Sequence, residues 1–128
     1  MTSPATRPDA LILFAHGARD ARWARTLAAL AERIRAREPA LQVSQAFLEF
    51  QTPDLPTALA AALAGGATRI EIAPVFWASG GHVANDVPPL LEAFRAQHAQ
   101  VTLTMRPVLS ELPGMLDFIA DALLTPPR

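Results

Sequence analysis

The sequence predicts an α/β fold: a four-stranded parallel sheet with flanking helices, in a single domain. Three observations predict it. Strand-like apolar runs alternate with helix-like periodic segments four times along the chain. The first run, Ala10 to Ala15, is continuously apolar, as in a strand covered on both faces. The 128 residues amount to one domain, with no composition break or linker inside them.

Each element has its own signal. Residues 19–38 read as a helix, because Trp23, Leu27, Leu30 and Ile34 recur at steps of 4, 3 and 4. Pro39 closes it. Leu41 to Leu48 is the second strand. Thr52-Pro53-Asp54 starts a second helix, with a capping hydroxyl, a proline in the first turn and an acid at the positive dipole end. That helix stops at Gly65-Gly66. Arg69 to Phe76 is the third strand. Ala78 to Asp86 reads as a loop, and a third helix runs on to about His98. Val101 to Met105 is the fourth strand, and Ser110-Glu111 caps a last helix carrying Leu112, Met115, Ile119 and Leu123. Residues 1–9 and 125–128 are expected to be flexible, with the domain spanning 10–124.

Composition narrows the chemistry. The chain has no Cys, Lys or Tyr, and its eleven positive charges, all Arg, face twelve acids. Disulfides, thiolate zinc sites, cysteine nucleophiles, Schiff bases and phosphate-loop lysines are therefore excluded. A pI near 6.3 argues against a nucleic-acid partner. Met1 to Asp9 lacks the apolar core of a signal peptide. The longest uncharged apolar run, Leu55 to Ala67, falls short of the roughly 20 residues that span a bilayer. The expectation is a cytoplasmic protein without a membrane partner.

In open parallel sheets, ligands bind beyond the carboxyl ends of the strands. His16-Gly17-Ala18-Arg19-Asp20 follows the first strand, Glu49 the second, and Ser79-Gly80-Gly81-His82 the third. Two imidazoles and a carboxylate form a suitable ligand set for a divalent first-row metal, with positions left open for a substrate. Gly80 and Gly81 let the backbone come close to something large and flat. Phe14, Phe47, Phe50, Phe76 and Trp77 lie on or beside the strand ends and could wall an apolar slot, although core packing is the commoner fate of such residues. Each polar residue also has a plain structural reading: a strand-end His as a cap or loop residue, Glu49 as a surface acid, Gly80-Gly81 as a turn. Their coincidence on one edge favours function. Of the arginines that begin with Arg19, only Arg19 is well placed for an anionic ligand; the rest spread around a solvated face. His98 belongs to the end of the third helix. No nucleotide-binding glycine motif and no nucleophile elbow occur. His16-Gly17 is similar to the Arg-His-Gly opening of histidine phosphatases, but residue 15 is Ala, which leaves that reading a weaker rival.

Three segments together resemble the small class II chelatases, the CbiX-type sirohydrochlorin cobaltochelatases and ferrochelatases. They are Phe14 to Asp20, Phe47 to Phe50 with Pro53 following, and Ala73 to Pro88. The resemblance covers residues 10–124. Where the family usually has Ser-Arg after the first His-Gly, this chain has Ala18-Arg19. The resemblance implies a chelatase-like (flavodoxin-like) domain that inserts Co²⁺ or Fe²⁺ into sirohydrochlorin, toward cobalamin or sirohaem. Ni²⁺ is also compatible with the ligand types, and no organic cofactor is implied. By position, His16 and His82 match the metal-binding histidines and Glu49 the acid beside them. The same three would assist pyrrole N–H deprotonation. Arg19 and the Gly80-Gly81 backbone would meet the carboxylate-rich macrocycle. Short members of the family resemble one half of a two-domain relative, which implies a homodimer. The alternative is a non-catalytic metal or tetrapyrrole carrier of the same fold.

Overall fold

The structure is a computed structural model that describes residues 7–78 and 80–127, with the side chains of residues 82–84 outside the description. Its elements are β1 (Ala10–Ala15), α1 (Ala21–Arg37), β2 (Gln42–Phe47), α2 (Leu55–Ala64), β3 (Arg69–Pro74), α3 (Gly81–Gln97), β4 (Thr102–Met105), a 3₁₀ turn (Leu109–Glu111) and α4 (Met115–Leu124). The four strands are parallel in the order β2-β1-β3-β4. The strand order reverses around β1, so a crevice opens at its carboxyl end between the exits toward α1 and from β3.

β1 sorts the core into two layers. Ala10, Ile12 and Phe14 point to the side covered by α2 and α3, where they meet Leu59, Ile70, Ile72, Leu91 and Leu103. Leu13 points to the other side, where it meets Leu27 and Ala31 of α1 with Val43 and Phe47 of β2. This alternation is the two-residue period of a strand. Ile12, Phe14, Ile70 and Ile72 are essentially fully buried, and each contributes about 1.5–3 kcal/mol by leaving water.

Several boundaries differ from the sequence expectation. α1 starts at Ala21, because the Asp20 carboxylate accepts from the Arg22 amide at 2.9 Å and caps the helix. α2 is capped by Asp54, whose carboxylate accepts from the Thr57 amide, and not by the Thr52 hydroxyl. β3 ends at Pro74, two residues early. α3 begins at Gly81 inside the expected loop, so Pro88 and Pro89 fall within the helix and not at its start. Neither proline can donate a helical hydrogen bond, which loosens the tie between the first turns and the rest. The last helix begins at Met115, with Gly114 at φ 78° as its cap residue. Ser110-Glu111 instead forms the 3₁₀ turn, because Pro113 holds Leu112 in an extended conformation (ψ 139°) that no α-helix can pass through.

Candidate functional site

The parallel ladder between β1 and β2 runs past the ends of both strands. The Leu48 amide donates to the Ala15 carbonyl at 3.0 Å and the Glu49 amide to the His16 carbonyl at 3.1 Å. His16 and Glu49 therefore leave the sheet side by side. Their side chains meet, with His16 Nε2 3.0 Å from Glu49 Oε1. Each side chain is about half exposed, at 52% and 48%, so the pair is open to an ion arriving from solvent. The His16 ring also meets the edge of Phe76 at 6.4 Å between centroids.

The two turns that follow are locked together. Gly17 has φ 94°, and a Cβ there would collide with the Glu49 carbonyl oxygen. Only glycine permits this close approach. The Ala18 amide donates to Gln51 Oε1 at 3.0 Å, tying the β1 exit to the β2 exit a second time. Arg19 lies over the Phe50 ring, 4.9 Å from its centroid, a cation–π contact. Phe50 itself takes φ 67°, and the Thr52-Pro53 bond is cis.

Beside His16 opens a cavity of about 520 Å³. Its walls are mostly apolar: Trp23, Leu27 and Leu30 from α1, Phe47 from β2, and Val75, Phe76 and Trp77 from the β3 exit. Gly17, Ala18, Gln51 and Gly80 are also in the lining. The β3 exit is held in place by the Val75 amide on the Phe14 carbonyl (2.7 Å), and by the Leu109 and Ser110 amides on the Phe76 and Trp77 carbonyls. A Cβ added at Gly80 would meet no described atom beyond its chain neighbours, so there is open space over this backbone.

The expected site residues divide accordingly. His16 and Glu49 are brought together. Gly80 lines the cavity and Gly81 begins α3 at φ 57°. Arg19 is on the same edge, stacked on Phe50. His82 is in the first turn of α3, but its side chain lies outside the described residues, as does Ser79. No cluster of three potential metal ligands occurs among the described residues. The aromatic wall is partly as expected. Phe14 and Phe47 are core at 1% and 5% exposure, whereas Phe50 and Trp77 are more than half exposed.

Sequence reasoning missed Gln51, Trp23 and Leu30. Gln51 follows the second strand on the very edge where ligands bind, so the edge rule could have included it. Trp23 and Leu30 share the periodic stripe of α1, but only Leu27 and Ala31 are buried; Trp23 is 68% exposed and turns toward the cavity. His98 is the C-terminal cap residue of α3, packed on Phe94 at 4.6 Å and remote from the cavity lining.

Comparison with known proteins gives the context. The profile of the CbiX family matches residues 10–125. A sirohydrochlorin cobaltochelatase from Methanocaldococcus jannaschii is 37% identical over 90 residues, which are 70% of this chain and 63% of that protein. The chain thus spans less than two thirds of the length of that relative. A crystal structure of a CbiX protein from Marinobacter aquaeolei VT8 has a TM-score of 0.74 at 32% identity, covering 89% of this chain and 92% of the other. The sirohydrochlorin chelatase SirB of Bacillus subtilis subspecies spizizenii, solved in complex with cobalt, has a TM-score of 0.67 at 25% identity. That match covers 77% of this chain and 42% of SirB. A family profile that takes in β1 through α4, on the four-stranded parallel sheet expected from the residues, makes this chain a member of the CbiX family.

Proposed function

We propose that this chain inserts a divalent metal ion, Co²⁺ or Fe²⁺, into a sirohydrochlorin-type tetrapyrrole, acting as a lyase in cobalamin or sirohaem biosynthesis. The observation that carries the reading is the His16–Glu49 pair at 3.0 Å, standing at the mouth of an apolar cavity. The names of the relatives, sirohydrochlorin cobaltochelatase and sirohydrochlorin chelatase, support it.

The residue types suit a metal that is substrate and must leave again. A neutral imidazole nitrogen and a carboxylate oxygen are borderline-to-hard donors that bind first-row divalent ions without the grip of thiolates. His82, on the first turn of α3 at the same edge, is the proposed third ligand. The incoming metal displaces two pyrrole protons, and His16 and Glu49 are the groups placed to accept them. Trp23, Phe76 and Trp77 give the macrocycle a flat apolar wall. The open space over Gly80 admits its face, and Arg19 is the cation for a peripheral carboxylate. A second copy of the chain supplies the other side of the cleft, and Ni²⁺ remains a compatible ion on donor type alone.

The test is absorbance of sirohydrochlorin mixed with Co²⁺ or Fe²⁺ and the protein. Turnover above the spontaneous rate, lost on His16→Ala, supports the chelatase. Stoichiometric binding of metal or pigment without turnover would identify a carrier instead.

A further inference from the structure

We infer that Arg25 and Arg33 of α1 form a second carboxylate-binding site, on the outer rim of the cavity, that favours a macrocycle bearing several peripheral acids. The inference rests on the proposed function and adds to it the residues that read charge around the ring.

A shallow groove runs along the exposed side of α1, lined by Arg22, Arg25, Thr26, Ala29, Leu30 and Arg33. Two of these residues, Thr26 and Leu30, also line the cavity beside His16. The cavity and the groove therefore share a wall, and a ligand that overfills the cavity runs onto the groove. The sequence leaves these arginines on a solvated face; the structure puts that face next to the site.

Helical spacing shapes the groove. Ala29 is four residues after Arg25 and four before Arg33, so the three lie in one row with the small residue in the middle. The two arginines start about 12 Å apart along the helix axis. That gap suits separate acid arms of one large ligand and is too wide for the two oxygens of a single carboxylate.

Their charge is uncommitted. Arg22 is held by Asp20, Arg35 by Glu32, Arg95 by Glu92 and Arg106 by Glu71. Arg25 and Arg33 have no carboxylate partner among the described residues. No acid stands three or four residues from either one in the helix, where Arg22 and Arg37 instead add like charge. An arriving anion relieves that repulsion.

The shared wall couples this charge to a flat ligand. Trp23 and Leu30 are exposed apolar residues of the cavity wall. A ring lying against them carries its rim acids outward across Thr26 to the two guanidinium groups, whose planar forks suit carboxylates. Arg19, at the β1 exit, is left for an acid on another side of the ring.

Sirohydrochlorin binding to the full chain, followed by quenching of tryptophan fluorescence, tests the inference whether or not metal is inserted. Arg25→Gln combined with Arg33→Gln should raise Kd about tenfold and flatten its rise with salt. In the insertion assay KM for sirohydrochlorin should rise likewise while kcat stays unchanged, since neither arginine lines the cavity beside His16. Arg37→Gln, which removes one charge outside the groove, should leave Kd unchanged where Arg25→Gln and Arg33→Gln alone each raise it. A double variant that binds as tightly as the unaltered chain overturns the inference and leaves the proposed function standing. So does an Arg37→Gln chain that binds as weakly as the single groove variants. An unaltered chain that neither binds sirohydrochlorin nor turns it over overturns both.

Discussion

Gly17 and Glu49 occupy the same narrow space: the glycine has no side chain, and the carbonyl oxygen of Glu49 takes the place a Cβ would fill. This contact sets how closely the β1 and β2 exits run, and so where His16 and Glu49 stand.

Gly17→Ala should therefore damage both fold and site. The left-handed φ of 94° is unfavourable for alanine, and the carbonyl must move. A loss of about 2–4 kcal/mol is expected, read as a lower midpoint in denaturant unfolding. Metal binding by titration should weaken in parallel.

Glu49→Gln should do the opposite, sparing stability and impairing function. The His16–Glu49 pair is half exposed, and such surface pairs contribute about 0–1 kcal/mol. If Glu49 accepts a pyrrole proton, insertion should slow about 100-fold or more. Full activity in Glu49→Gln would remove the acid from the proposed mechanism.

Gln51→Ala removes the acceptor of the Ala18 amide in a half-buried position. A cost of about 1 kcal/mol is expected, with a larger effect on kcat/KM than on unfolding. Gln51→Glu keeps an acceptor at the same reach and should restore most of the activity.

Trp23→Ala probes the cavity wall. Because Trp23 is 68% exposed, its loss should change stability by less than about 1 kcal/mol, well under the 3–5 kcal/mol of a core tryptophan. Tetrapyrrole affinity, followed by quenching of intrinsic fluorescence from Trp77, should fall.

Asp9 predicts an acid limb. Its carboxylate accepts from the Thr68 amide, the Arg69 amide and the Thr68 hydroxyl at 2.9–3.0 Å. The Thr68 amide foremost, then the Arg69 amide, holds its pKa below the ordinary 3.8. A depressed folded pKa means the stabilisation is complete above pH 3.8 and is lost as pH falls through the lowered value. Asp9→Asn should flatten the pH dependence of unfolding in that range and leave neutral pH activity unchanged.

The parts legible from sequence are those where one physical signal dominates. β1 is apolar throughout and needed no context. His16 and Glu49 were placed by the rule that ligands gather at strand carboxyl ends, which the two-residue extension of the ladder makes concrete. The 3.0 Å contact between them was not legible, because it depends on backbone bonds beyond the strands. Ser110-Glu111 resembled a helix start, yet Pro113 two residues later is the stronger local constraint. Trp23 belongs to the stripe that reveals α1; periodicity finds a stripe, but which edge of the stripe meets the sheet depends on how the helix rolls on it.

The ladder beyond β1 and β2 has one more consequence. The amides of Leu48 and Glu49 sit in what looks like loop, yet both are held by carbonyls of the neighbouring exit. In deuterated solvent these two protons should exchange as slowly as those inside the strands. The donor-bearing edge would then be a continuation of the sheet, stiff along its base, with mobility confined to the imidazole and carboxylate that stand on it.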